Sequence, residues 1–252
     1  MLFTVLITGS KSGIGKGLLA AYAARPNTIA IAAIRDDPTS EKAKALVSSI
    51  QPGKGSRVIA VPYDAALQSD TFNCIEYLHN HYPEITHLDL VVANAAINNH
   101  WGPTHSIKKQ DLTDAFAVNT LAPILLYSQA RNLLLAAPED RVPKFIFISS
   151  VVGSIMVAPT LPLQMPVMGI FKAATNFFAA KAAGEEERLI VVPIHPGWVQ
   201  TQMGDGAAAK VGMEKAPMTL ENCVDSLTAL IDGAGKEQSG KFLQVEGEAL
   251  PW

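Results

Sequence analysis

The chain has 252 residues, 48% of them apolar and 17% charged, with a formal net charge of -3. That is enough chain and apolar side chain for one large α/β domain with a full core, and too little charge for a disordered chain or a basic nucleic-acid footprint. Two cysteines, Cys74 and Cys223, stand far apart with no His/Cys cluster around them, which excludes a disulfide framework and a metal site and fits a reducing, cytoplasmic setting.

Short, β-branched apolar runs at 2–8, 28–34, 57–62, 88–93, 143–149, 188–194 and 241–245 alternate with helix-period segments at about 13–24, 39–50, 67–80, 108–136, 166–183 and 219–231. Strands and helices alternating at these lengths predict one domain over 1–252, with about seven parallel strands and helices on both faces. The apolar start, Met1 to Thr8, lacks the basic leading region of a secretory signal, and no apolar run is long enough to predict a membrane span.

The first predicted strand runs into Thr8-Gly9-Ser10-Lys11-Ser12-Gly13-Ile14-Gly15. Gly9 permits a tight turn, and Gly13 and Gly15 bring the backbone and a helix N-terminus up to a dinucleotide pyrophosphate. The second strand ends Ile34-Arg35-Asp36-Asp37. Ile34 stands where an acid would hold the ribose hydroxyls of NAD, and Arg35 is suited to grip a 2'-phosphate with two charge-assisted hydrogen bonds. NADP(H) is the expected cofactor, with Lys11 as a second positive charge.

Three segments are longer than connection requires: 98–106, 151–166 and 201–217. All follow strands, at the ends where open α/β sheets bind ligands. The first holds His100, Trp101 and His105, candidates for a substrate wall; the third reads as a mobile lid. Pro123 falls inside the fourth predicted helix and cannot donate to the carbonyl of Asn119.

The TGxxxGxG spacing resembles the short-chain dehydrogenase/reductase family, and the likeness continues in order along the chain. Asp64 and Ala65 follow the third strand where the family contacts adenine. Ala93-Asn94-Ala95-Ala96 is similar to its NNAG stretch, with Ala96 in place of glycine. Asn119, Ser150, Lys172 and Pro196-Gly197-Trp198-Val199-Gln200-Thr201 complete the series. The resemblance implies a doubly wound Rossmann sheet. It places the cofactor at Gly9, Ser10, Lys11, Ser12, Gly13, Ile14, Gly15, Arg35, Asp64, Ala65, Asn94, Ala95, Lys172, Pro196, Gly197, Val199 and Thr201. It also implies a homodimer or homotetramer through the helices that carry Asn119 and Lys172.

Family catalysis uses Asn, Ser, Tyr and Lys, and three of the four match: Asn119, Ser150 and Lys172. The residue four before the lysine, where the family has tyrosine, is Met168. No tyrosine follows Ser150, and from Val142 to Gly184 there is no Asp, Glu, His, Cys or Tyr to replace it. His195 reads as a packed structural histidine.

Trp101, His105, Met168 and Trp198 are the expected neighbours of an apolar small-molecule substrate. The leading expectation is hydride transfer to an acceptor that needs little acid help, such as an iminium, similar to the tyrosine-deficient reductases of fungal indole alkaloid pathways, some of which also steer a Diels-Alder cyclisation. The second is carbonyl reduction with a proton relayed through water, Lys172 and Asn119. The third is a non-redox cyclase, isomerase or binding protein that retains the dinucleotide. The C-terminal SGKFLQVEGEALPW resembles that of carbonyl reductases related to norsolorinic acid ketoreductase.

Overall fold

The structure is a computed structural model that describes residues 1–67 and 73–252 with their side chains. Seven parallel strands form one sheet in the order β3-β2-β1-β4-β5-β6-β7. They are β1 (Phe3–Thr8), β2 (Thr28–Ile34), β3 (Arg57–Pro62), β4 (Leu90–Ala93), β5 (Lys144–Ile148), β6 (Ile190–His195) and β7 (Leu243–Gln244). Helices α1 (Gly13–Ala23), α2 (Glu41–Ser48), α3 (Gln68–His81), α4 (Lys109–Phe116), α5 (Ala122–Leu135), α6 (Pro166–Glu185), α7 (Gln202–Lys210) and α8 (Leu220–Gly233) connect them.

The strands are continuously apolar because both faces of the sheet are covered. Along β5, Phe145 and Phe147 pack into the layer of α3, α5 and α6, while Ile146 and Ile148 pack into the layer of α1, α2 and α8. The order of strands reverses between β1 and β4, which opens a crevice at their carboxyl ends.

Two expectations change. The helix predicted over 108–136 is interrupted by a π turn at Ala117–Leu121, in which Ala122 N–H donates to Ala117 O. Pro123, in the first turn of α5, supplies the reason, since it has no N–H to continue the regular ladder. The segment 201–217, read as a mobile lid with no helix predicted in it, opens with α7. Thr201 caps that helix, its hydroxyl accepting from Gly204 N–H at 3.0 Å. Among the described residues no helix is long and apolar enough to cross a membrane.

Candidate active site

A cleft of about 1280 Å³ lies over the carboxyl ends of the strands. Gly9, Lys11, Ser12, Gly13 and Ile14 form one rim. Gly9 has φ +67°, and Gly15 packs so closely that an added Cβ would stand 2.5 Å from Gly9 O. Only glycine at both positions lets the turn close on the start of α1. Ser12, at the N-cap of α1, makes no side-chain cap, so the first-turn N–H groups stay available for an anion. The turn is tied to the end of β4: Thr8 Oγ1 accepts from Asn94 N–H and Ala95 N–H, each at 3.0 Å, and Asn94 Nδ2 donates to Thr8 O at 2.9 Å.

Arg35 is exposed on the cleft wall and makes no ion pair among the described residues. Its neighbours are engaged elsewhere: Asp36 pairs with Lys11 at 2.8 Å, and Asp37 accepts from Thr39 N–H at 2.7 Å. Asp64, Ala65, Asn94, Ala95, Pro196, Gly197, Val199 and Thr201 also line the cleft. An open helix start, a backbone cradle and a free guanidinium are the groups a phosphorylated dinucleotide needs, so these residues fit NADP(H).

At the other end of the cleft, Lys172 on α6 is 6% exposed and its Nζ donates to Ile148 O at 2.6 Å. Burial lowers its pKa from 10.5 to about 8. Ser150 follows β5, and its Oγ accepts from Val152 N–H at 3.4 Å, which leaves the hydroxyl proton free to donate. Met168, one turn before Lys172, is 4% exposed and packs with Val152 and Met165 against Trp101, Leu161 and Leu163. Met168, four residues before the lysine, is therefore part of an apolar wall. Gly102 N–H donates to Gln164 O at 3.0 Å and stitches the 98–106 and 151–166 segments together.

Several expected site residues play other parts. Asn119 is fully buried, with its amide spent on one neighbour: Oδ1 accepts from Ile97 N–H and Nδ2 donates to Ile97 O, both at 2.9 Å. The side chain holds Ile97 and does not line the cleft, whereas the role read for Asn119 belongs to its main-chain carbonyl, to which Pro123 has no N–H to donate. Ser10 is fully buried and donates its hydroxyl to Ile7 O. Gly15 packs beneath the cradle without lining it.

None of His100, Trp101 and His105, the expected substrate wall, lines the cleft: His105 is exposed on the short helix Thr104–Ser106, His100 is buried against Ser106 Oγ at 3.1 Å, and Trp101 packs against Val152, Met165 and Met168. Trp198 lines the cleft, with its indole N–H donated to Gly204 O at 2.8 Å. His195, expected only to pack, also lines the cleft; burial lowers its pKa to about 4, so the imidazole is neutral. Leu161, Leu163 and Met165 were not legible as site residues, since nothing in an apolar loop sequence says which side chains turn inward.

A family model described as short chain dehydrogenase matches residues 3–212. The norsolorinic acid ketoreductase of Dothistroma septosporum is 37% identical over 99% of this chain and 92% of its own length. Among solved structures, a carbonyl reductase of Pseudomonas aeruginosa in complex with NADP is 27% identical with TM-score 0.75, covering 100% of both chains. The NADPH-bound carbonyl reductase from chicken fatty liver has TM-score 0.83 at 24% identity, over 100% of this chain and 99% of its own.

Proposed function

Since the chain belongs to the short-chain dehydrogenase/reductase family, we propose that it is an NADP(H)-dependent reductase of an apolar small molecule, and that Lys172 supplies the proton the missing tyrosine would give. The acceptor that suits this site is a carbonyl. The observation that carries the reading is the buried Lys172 ammonium, which lines the floor of the cleft with a pKa of about 8. Its relatives named as ketoreductases and carbonyl reductases point the same way.

The cradle and Arg35 would hold the dinucleotide, whose reduced nicotinamide would supply the hydride for the acceptor carbon. Ser150 donates its hydroxyl to the acceptor oxygen, and charge builds on that oxygen as the carbon is reduced. Lys172 has three N–H groups, of which Ile148 O takes one, leaving two for a ligand. One of those protons neutralises the alkoxide. An acid with pKa near the working pH is suited to that transfer. The wall of Val152, Met165, Met168, Leu161 and Leu163 excludes water from the reacting oxygen and selects an apolar body.

A second reading is favoured by one observation, that the tyrosine position carries no proton donor at all. An iminium acceptor ends as a neutral amine and needs none. Against it stands the charge of Lys172, which at neutral pH repels a cationic acceptor. Reduction of a neutral ketone by NADPH, followed from pH 6 to 10, tests the leading reading: the rate should hold below pH about 8 and fall about tenfold per pH unit above it, as the ammonium is lost.

The partner expected of the assembled enzyme is a second copy of the chain. Phe116, Ile170 and Phe177 are 45%, 50% and 75% exposed on the surface of α4 and α6, and a helix apolar on its outer side as well as its inner one calls for cover.

A further inference from the structure

Beside Lys172 the polar side chains Ser149, Asn176 and His195 form a cluster that positioning of the substrate does not use. Phe145 and Phe147 face α5 and α6, so Ser149, next in the alternation, faces α6 as well. Its hydroxyl donates to Asn176 Oδ1 at 2.6 Å, and Asn176 is 2% exposed. Ile148 pairs with Ile194 in parallel register, which sets His195 beside Ser149 on the same face of the sheet. Lys172 lies one turn before Asn176 on α6 and is bonded to Ile148, the neighbour of Ser149.

Two atoms of this cluster, Asn176 Nδ2 and His195 Nδ1, are buried and meet no hydrogen-bond partner among the described residues. A buried polar atom left unpaired costs about 1–3 kcal/mol. Polar spots of this kind, with two to four groups converging, are where internal waters settle.

We propose that a water molecule sits among these groups, hydrogen-bonded to Asn176 Nδ2 and His195 Nδ1, and returns a proton to Lys172 Nζ after each turnover. The inference rests on the carbonyl reading above. The protons balance. Lys172 Nζ gives one to the product oxygen, the water O–H gives one to the neutral amine, and His195 Nδ1 gives one back to the water.

His195 lines the cleft, and a neutral imidazole that takes up a proton at Nε2 while releasing one at Nδ1 closes the cycle with solvent. Lys172 and His195 are the titratable groups lining this end. Lys11, Arg35, Asp64 and Asp114 line the cleft over β1 to β3 and on α4.

The test has three readouts. Crystals of the full chain that order internal waters should show one within hydrogen-bond reach of both atoms. In cofactor-free protein, acylation of Lys172 read by peptide mass should have its midpoint near pH 8. In Asn176→Leu, and in Ser149→Ala should the first fail to fold, the midpoint should fall by roughly half a pH unit or more as the surroundings become less polar. His195→Ala should lower kcat for a ketone with KM unchanged, and added imidazole should restore it.

A dry cluster, an unmoved midpoint or no rescue by imidazole overturns the proposal. An ordered water with a shifted midpoint, in a protein that reduces no ketone, would keep the water site and sink the carbonyl reading instead.

Discussion

Met168 is the residue on which the proposed chemistry turns. Its thioether neither gives nor takes a proton, and its burial among Val152, Met165 and Trp101 shows a side chain absorbed into the wall. Met168→Tyr would place a phenol one turn from Lys172 and should raise kcat/KM for a ketone by about 10²- to 10⁴-fold, the usual worth of a positioned acid. The larger ring overfills the cluster, so the melting temperature should drop with about 1–3 kcal/mol of lost stability. Lys172→Met should remove ketone reduction by about 10²-fold or more and weaken cofactor binding. At this scale the sequence was informative about which residues fill the family positions and poor at saying where side chains turn. Asn119 holds its expected place but spends its amide on Ile97, and the Ser10 hydroxyl is taken by Ile7 O. Spacing along a chain does not reveal such partners.

Among the elements, the turn from β1 into α1 and the end of β2 define the cofactor end. Gly15→Ala brings a methyl to 2.5 Å from Gly9 O and from Asn94 Nδ2. Backbone must move to admit it, so the variant should lose most of its NADPH affinity in a fluorescence titration. Wild type should bind NADPH at least about tenfold more tightly than NADH, a difference of about 1.4 kcal/mol, through Arg35. Arg35→Ala should bring the two affinities together. Equal affinities in the wild type would show that the 2'-phosphate is not gripped there. The cradle was legible because its glycines lie between a strand and a helix. The helix α7 was not, because Gly204 and Gly206 weaken its local signal and the Thr201 cap shows only in space. The π turn escaped notice for a similar reason, since a proline in a helical pattern marks a disturbance without saying what form it takes.

In the whole molecule, alternation of strands and helices was enough to read a parallel sheet with both faces covered, and likeness to a known family supplied the doubly wound form. Assembly was implied by that likeness, and the exposed Phe116, Ile170 and Phe177 are the surface proposed for it. Phe177→Glu should leave the monomer fold intact while light scattering in line with gel filtration shows the oligomer lost; an unchanged mass would mean that another surface pairs the chains. The proposed activity joins the scales, because it would need the cradle at one end of the cleft and Lys172 at the other. The most direct measurement is NADPH consumption by the wild-type protein on a neutral ketone and an iminium of matched size and apolarity, from pH 6 to 10. If Lys172 is the proton donor, the ketone is reduced faster than the iminium, at a rate that holds to pH about 8 and then falls with the ammonium. Rapid reduction of the iminium with the ketone nearly untouched at every pH would contradict it.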